Sequence, residues 1–104
     1  LAGSTYVTPA KARDCQHAYH QYVLQAENRA EVITYLTKKG IGTGVYYPIP
    51  LHQQKAFKTL GYNPGSLPAA EYLSHRTFAI PCFPELTSEE REYIIEALLN
   101  ACKN

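Results

Sequence analysis

The pattern of apolar and polar residues along the chain predicts three β-strands. From position 19 onward the two kinds of residue alternate, with Tyr22 and Leu24 on one side and glutamines on the other, as in a half-buried strand. The same alternation over residues 41–47 predicts a second strand. Its glycines leave room for another group to approach the backbone closely. A short apolar run at residues 78–80, closed by a proline, predicts a third strand.

Helical patterns fill the segments between and after these strands. An apolar stripe begins after Asn28, a residue type that caps helix N-termini, and stops at Gly40, so a helix is predicted between them. Two short helices are predicted over residues 53–60 and 68–75. The last helix is predicted to start at Thr87, where a glutamate three positions later can complete a capping box.

The order of these elements indicates the fold class. Strand, helix, strand, two short helices, strand and helix predict an α+β fold, a two-layer sandwich in which helices cover one face of a small mixed or antiparallel sheet. Residues 1–16 lack periodicity and contain glycine and proline, so they are predicted to be a lead-in or linker. The domain itself is predicted to occupy residues 17–104.

Composition agrees with a single soluble globular domain. The 104 residues are 45% hydrophobic and 18% charged, an ordinary balance for such a domain. The formal net charge of +1 offers little electrostatic attraction to nucleic acid. No apolar run reaches the roughly 20 residues of a membrane span. We therefore expect neither a nucleic-acid partner nor a membrane partner.

The sequence contains three cysteines and no methionine. Cys15, Cys82 and Cys102 are odd in number and widely spaced, which favours free thiols in a reducing, cytoplasmic location over a disulfide framework. Because even an initiator methionine is absent, a chain that begins at Leu1 is expected to be processed, cut or part of a longer protein.

Two arrangements could hold a phosphate or a metal, but their context argues against both. The glycine-rich run at residues 40–44 is preceded by a predicted helix and followed by a predicted strand, the reverse of a phosphate-binding loop. Cys15, His17 and His20 could be metal ligands, but the two histidines start a strand and would point to opposite faces. We therefore predict no metal site.

Residues 44–52 are the most informative stretch. Tyr46, Tyr47 and His52 lie where the second predicted strand runs into a loop stiffened by prolines. Loops held by a rigid scaffold often contact ligands, and tyrosine and histidine can both donate and accept hydrogen bonds. These three residues are candidate substrate-binding residues. The alternative is that Tyr47 packs in the core and His52 only starts the next helix, and the residues alone leave both interpretations open.

Four segments in order along the chain carry a family resemblance: HQYV at 20–23, GIGTGVYYPIPLH at 40–52, LPAAE at 67–71 and AIPCFPELT at 79–87. Together they resemble the C-terminal small domain of the DegT/DnrJ/StrS family of sugar aminotransferases. Many members have histidine where this sequence has Tyr46. A tyrosine there has a hydroxyl group that can form hydrogen bonds, but it does not titrate near neutral pH. This difference suggests contact with a sugar.

The resemblance implies a pyridoxal-phosphate enzyme of fold type I. Such an enzyme transfers an amino group, usually from glutamate or glutamine, to a nucleotide-linked keto sugar for lipopolysaccharide or other glycan biosynthesis. A homodimer is also implied. In these enzymes a lysine of the large domain holds the cofactor, and none of the lysines of this chain lies in that motif. The resemblance therefore implies that this chain has no catalytic or cofactor-binding residue and is inactive alone.

Within the longer enzyme, the resemblance gives Tyr46, Tyr47 and His52 a role in binding the nucleotide-linked sugar. A second hypothesis is a stand-alone α+β binding or regulatory module that lost the catalytic domain. Some proteins similar to this family are described as pleiotropic regulatory proteins. The gene sequence upstream of Leu1 would distinguish the two hypotheses.

Overall fold

The computed structural model describes residues 1–102, so Lys103 and Asn104, the end of the predicted domain, lie outside the described residues. The elements are β1 (Tyr22–Gln25), α1 (Arg29–Lys38), two 3₁₀ turns (Leu51–Gln53 and Lys55–Leu60), α2 (Pro68–Arg76), β2 (Thr77–Ile80) and α3 (Ser88–Ala101). Within residues 1–102 no helix combines the length and the apolar character that crossing a membrane requires.

The two strands form one antiparallel sheet. Tyr22 pairs with Ile80, and Leu24 pairs with Phe78. Because side chains alternate between the faces of a strand, Leu24 and Phe78 point to the same side of the sheet. The predicted α+β class with a small antiparallel sheet is confirmed.

The predicted strand over residues 41–47 is wrong. Within this segment only Gly44 pairs with the sheet, by donating its N–H to Ala79 O at 3.0 Å and accepting from Ala79 N at 2.7 Å. Glycine has no side chain for packing between strands, and β2 is only four residues long, so the pairing does not extend. The segment meets the free edge of β2 once and then continues into the loop that contains Tyr46.

The core lies between the sheet and the helices α1 and α3. Its five most buried large side chains come from both strands and both helices: Phe78, Leu24, Leu36, Leu98 and Val32. Full burial of a side chain of this kind contributes roughly 1.5–3 kcal/mol relative to exposure. These contacts fix the helix layer on the sheet.

The predicted lead-in contributes to this core. Tyr6 is 6% exposed, and its hydroxyl donates a hydrogen bond to Leu98 O at 3.0 Å. Its ring meets Phe78 edge-on. The next residue, Val7, pairs with Gln25 on the outer edge of β1. Residues near Tyr6 therefore belong to the folded unit, while the boundary of the domain stays a prediction.

The helix ends follow the predicted signals in part. Thr87 Oγ1 accepts a hydrogen bond from Glu90 N at 3.2 Å, and the Glu90 carboxylate accepts one from Thr87 N at 2.9 Å. The predicted capping box of α3 is thus confirmed. Asn28 does not cap α1 with its side chain, and its amide donates to Glu31 instead. Gly40, beyond α1, has a φ of +75°, the left-handed conformation that ends a helix.

Candidate functional site

The loop that follows Gly44 and the helix α2 together form a groove of about 580 Å³. Its lining includes Tyr46, Tyr47 and His52 from the loop and Leu73 from α2. None of the Asp, Glu, Lys or Arg residues in the described part of the chain belongs to this lining. The groove is therefore largely apolar.

The three candidate substrate-binding residues all line this groove, but their exposure differs. Tyr46 is 54% exposed and Tyr47 is 70% exposed. Their rings meet edge-on, with centroids 5.8 Å apart. The alternative in which Tyr47 packs in the core is therefore wrong, and both rings are accessible to a molecule that enters the groove.

The ring of Tyr46 lies directly against the backbone of Gly44. A Cβ atom built on Gly44 would be 2.6 Å from the Tyr46 hydroxyl oxygen and 2.6 Å from a ring carbon. A Cβ atom built on Gly42 would meet nothing within 4 Å. The close approach expected beside these glycines is therefore made at Gly44, by the side chain of Tyr46.

His52 lies inside the wall of the groove rather than on its surface. It is 7% exposed, and its Nε2 atom lies 2.8 Å from Oε1 of Glu71. Its ring meets the Tyr62 ring edge-on, with centroids 6.1 Å apart. His52 is the second residue of the 3₁₀ turn Leu51–Gln53, so the next helical segment begins one residue before the position that the alternative interpretation gave it.

Glu71 binds two other parts of the chain at once. Besides the His52 ring, it accepts the backbone N–H of Gly65, which lies 2.8 Å from each carboxylate oxygen. The hydrogen bonds from His52 and from Gly65 N–H hold the pKa of Glu71 below its ordinary value. An ionised carboxylate only accepts hydrogen bonds, so His52 donates from Nε2. The contact joins the 3₁₀ turn to α2 and to the turn at Gly65.

The sequence patterns do not predict the apolar part of the groove lining. Residues 53–60 do not form the single predicted helix, because Gln54 is extended (φ −70°, ψ 145°) and separates two 3₁₀ turns. Phe57 and Leu60 of the second turn and Tyr62 beyond it are exposed along the groove. The signal available in the sequence was the presence of Phe57, Leu60 and Tyr62 within six positions, in a segment too short to bury them.

The described residues include no metal centre, and none of their lysine amines belongs to the groove lining. Within residues 1–102 no group of three or more His, Cys, Asp or Glu side chains is arranged to hold a metal ion. In the candidate trio, His17 Nδ1 accepts a hydrogen bond from Tyr19 N at 2.8 Å. None of the described lysines lines the groove.

Comparison with known proteins defines the class. The model of the DegT/DnrJ/EryC1/StrS aminotransferase family matches residues 1–99, and the chain belongs to this family. The crystal structure of S. venezuelae DesV in complex with a ketimine intermediate matches with a TM-score of 0.95 and 28% identity, over 100% of this chain and 28% of that chain. The predicted family is therefore confirmed.

The relatives are much longer than this chain. A pleiotropic regulatory protein of Geobacillus stearothermophilus is 42% identical over 92% of this chain and 26% of its own length. The UDP-N-acetyl-3-dehydro-alpha-D-glucosamine 3-aminotransferase of Acidithiobacillus ferrooxidans is 38% identical over 86% of this chain and 24% of its own length. The chain thus spans about a quarter of the length of these curated relatives.

Proposed function

We propose that this chain is the C-terminal small domain of a pyridoxal-phosphate-dependent aminotransferase that transfers an amino group to a nucleotide-linked keto sugar. The observation that carries the proposal is the family match over residues 1–99. Relatives named as an aminotransferase of a UDP-linked sugar and a transaminase of a dTDP-linked sugar support the substrate class. The rest of the longer enzyme would supply the catalytic groups.

Within this enzyme, Tyr46 and Tyr47 contact the substrate sugar. Both are exposed on the groove, and each combines an apolar ring with a hydroxyl group that can donate or accept a hydrogen bond. A hexose offers hydroxyl groups and apolar C–H faces, which suit this combination. His52 belongs to the same binding site, but its contact with Glu71 makes it a support for the loop.

The groove receives the sugar ring and not the diphosphate of a nucleotide sugar. Diphosphates are bound by arginine, by lysine or by backbone N–H groups at helix N-termini. Neither Arg nor Lys is found among the lining residues within 1–102. The helix α2 reaches the groove at its N-cap Leu67, but it begins with Pro68, which has no N–H to donate. An uncompensated diphosphate in an apolar groove would lose its hydration at a high cost. Residues elsewhere in the longer enzyme therefore bind the diphosphate.

The described residues do not fit pyridoxal phosphate itself. The cofactor is held by a lysine as a Schiff base. The described lysines are exposed and lie outside the groove lining: Lys11, Lys38, Lys39, Lys55 and Lys58. The cofactor therefore belongs to the rest of the longer enzyme, and this chain is inactive alone.

We further propose a dimeric assembly and a cytoplasmic location for the longer protein. The longer protein would form a homodimer and take its amino group from glutamate or glutamine. This chain alone would be monomeric or weakly associated, since most of the dimer interface would belong to the large domain. Cys15, Cys82 and Cys102 are free thiols, which supports a reducing, cytoplasmic location.

The experiment that tests this function starts from the gene. The reading frame upstream of the Leu1 codon is sequenced, and the longer protein is purified and incubated with glutamate and keto sugars linked to UDP or dTDP. Formation of an amino sugar together with 2-oxoglutarate supports the proposal. A longer protein that binds pyridoxal phosphate but converts none of these sugars would contradict the proposed substrate class.

A second candidate is a stand-alone binding or regulatory module. The name of the 42% identical relative, a pleiotropic regulatory protein, supports a regulatory role, although this chain covers only 26% of that relative's length. A start codon directly before the Leu1 codon, with no aminotransferase frame upstream, would support this candidate and exclude the enzyme.

A further inference from the structure

We propose that Gly44 is a specificity-determining position of this site, because its missing side chain lets the Tyr46 ring lie on the backbone and form a wall shared by two cavities. This inference rests on the proposed contact between Tyr46 and the substrate sugar. It identifies the residue that decides where Tyr46 makes that contact.

Tyr46 occupies the space in which a side chain at position 44 would begin. The Cβ position of residue 44 lies 2.6 Å from the Tyr46 hydroxyl oxygen and 2.7 Å from the ring carbon that bears it. Non-bonded carbon atoms at favourable distance are roughly 3.5–4.0 Å apart. The Tyr46 ring therefore could not keep its present position if residue 44 had a side chain.

The backbone at Gly44 is fixed more firmly than the Tyr46 side chain. Gly44 donates to and accepts from Ala79, and Ala79 is itself paired with Val23 in the sheet. Moving Gly44 away from the ring would break both hydrogen bonds at the edge of β2. The Tyr46 side chain is more than half exposed, so the ring moves and the backbone stays.

Tyr46 lines two cavities of different character. One is the largely apolar groove of about 580 Å³. The other has a volume of about 410 Å³, and its lining includes the polar residues His20, Gln21 and Thr43. Within residues 1–102, Tyr46 is the residue that lines both. Displacing its ring would connect the two cavities and change the shape that a sugar meets.

The first test measures the Gly44–Tyr46 contact in the chain itself, without any ligand. The nuclear Overhauser effect between Gly44 Hα and the Tyr46 ring protons should be present in the native chain and lost in Gly44→Ala. Gly42→Ala is the matched control, because a Cβ at Gly42 meets nothing within 4 Å, and it should keep the effect. Persistence of the effect in Gly44→Ala, or equal loss in both variants, would overturn the proposal.

A double-mutant cycle keeps the proposal testable even if Gly44→Ala folds poorly. The three atoms nearest to a Cβ at position 44 all belong to Tyr46, so Gly44→Ala should lower the melting temperature of the native chain more than that of Tyr46→Ala. Coupling of this kind is the mark of residues in direct contact. An equal decrease in both backgrounds would show that Gly44 acts on the fold and not through Tyr46.

The kinetic test uses the longer enzyme. Gly44→Ala should raise KM for the keto sugar roughly tenfold, as expected of a misplaced binding residue, while the half-reaction with the amino donor keeps its rate. Gly42→Ala adds a methyl group to the lining of the smaller cavity without touching Tyr46, so it should raise KM less than Gly44→Ala does. If both half-reactions of Gly44→Ala slow alike, position 44 does not determine specificity. A longer protein without aminotransferase activity would instead refute the proposed function and leave the first two tests unaffected.

Discussion

His52 and Glu71, nineteen residues apart in the sequence, are joined by a hydrogen bond of 2.8 Å between Nε2 and Oε1. Because the Glu71 carboxylate also accepts the N–H of Gly65, one side chain of α2 holds both the 3₁₀ turn and the loop beyond it. The 3₁₀ turn and the loop both border the groove, and the loop does so through Tyr62. The shape of the groove therefore depends on a contact that lies behind its surface.

Replacing His52 by alanine is expected to destabilise the chain. The change removes the donor to Glu71 and leaves a gap in the wall of the groove. We expect Tm to fall by roughly 4–8 °C, the shift that about 1 kcal/mol produces in a domain of this size. His75→Ala, an exposed position on α2, is the control and should barely change Tm. Equal shifts of the two variants in a calorimeter would contradict the supporting role of His52.

The stabilisation by Glu71 is expected to depend on pH. Its pKa is lowered in the folded chain by hydrogen bonds from His52 and Gly65 N–H, so folding favours the ionised form. This contribution is fully present above the ordinary pKa of 4.5 and is lost as the pH falls through the lower folded value. The difference in Tm between the native chain and Glu71→Gln should therefore be largest near neutral pH and shrink in acid. A difference that stays constant on acidification would refute this account.

The elements that could be predicted from the sequence are those specified by neighbouring residues. The start of α3 depends on Thr87 and Glu90, three positions apart, and the left-handed conformation at Gly40 depends on that residue alone. Each of these features depends on only a few neighbouring residues. The sequence therefore predicts both, and the structure confirms them.

The features that escaped prediction depend on distant residues. Residues 41–47 have the alternation of a strand, but a ladder also needs a long enough partner, and β2 offers only Ala79 to Gly44. The pairing of His52 with Glu71 has no local signal, because either residue could equally face water. Tyr6 lies in a stretch of small and polar residues, and only the fold shows that Leu98 accepts its hydroxyl.

Removing the predicted lead-in is expected to destabilise the domain. Deleting residues 1–16 takes Tyr6 out of the core, and truncation of a buried aromatic side chain costs roughly 3–5 kcal/mol. Tyr6→Ala should reproduce most of this loss in urea denaturation, whereas Tyr19→Ala, at an exposed position, should cost much less. A chain that begins at residue 17 and unfolds at the same urea concentration as the native chain would show that residues 1–16 are a linker.

The chain alone is expected not to hold pyridoxal phosphate specifically. Its described lysines are exposed and would react with the aldehyde only as free amines do. After incubation with the cofactor and dialysis, the visible spectrum should show no retained Schiff-base absorption. An absorption band that survives dialysis and disappears when one lysine is replaced would contradict the assignment of the cofactor to the rest of the enzyme.

Removing the Tyr46 hydroxyl is expected to affect one half of the reaction of the longer enzyme. Tyr46→Phe keeps the ring against Gly44 but removes the hydroxyl group that we propose binds the sugar, so kcat/KM for the keto-sugar half-reaction should fall roughly tenfold, or about 1.4 kcal/mol. The half-reaction with the amino donor should change little, because it proceeds without the sugar. Tm should also stay the same, since the side chain is more than half exposed.

Tyr72→Phe is the matched control for this variant, because Tyr72 is similarly exposed and lies outside the groove lining. It should leave both half-reactions unchanged. The two interpretations of the loop predict different results for Tyr46→Phe: a substrate contact changes the ratio of the half-reactions at constant Tm, whereas a scaffold residue lowers Tm and slows both alike. A lower Tm with an unchanged ratio would therefore remove Tyr46 from the sugar-binding site.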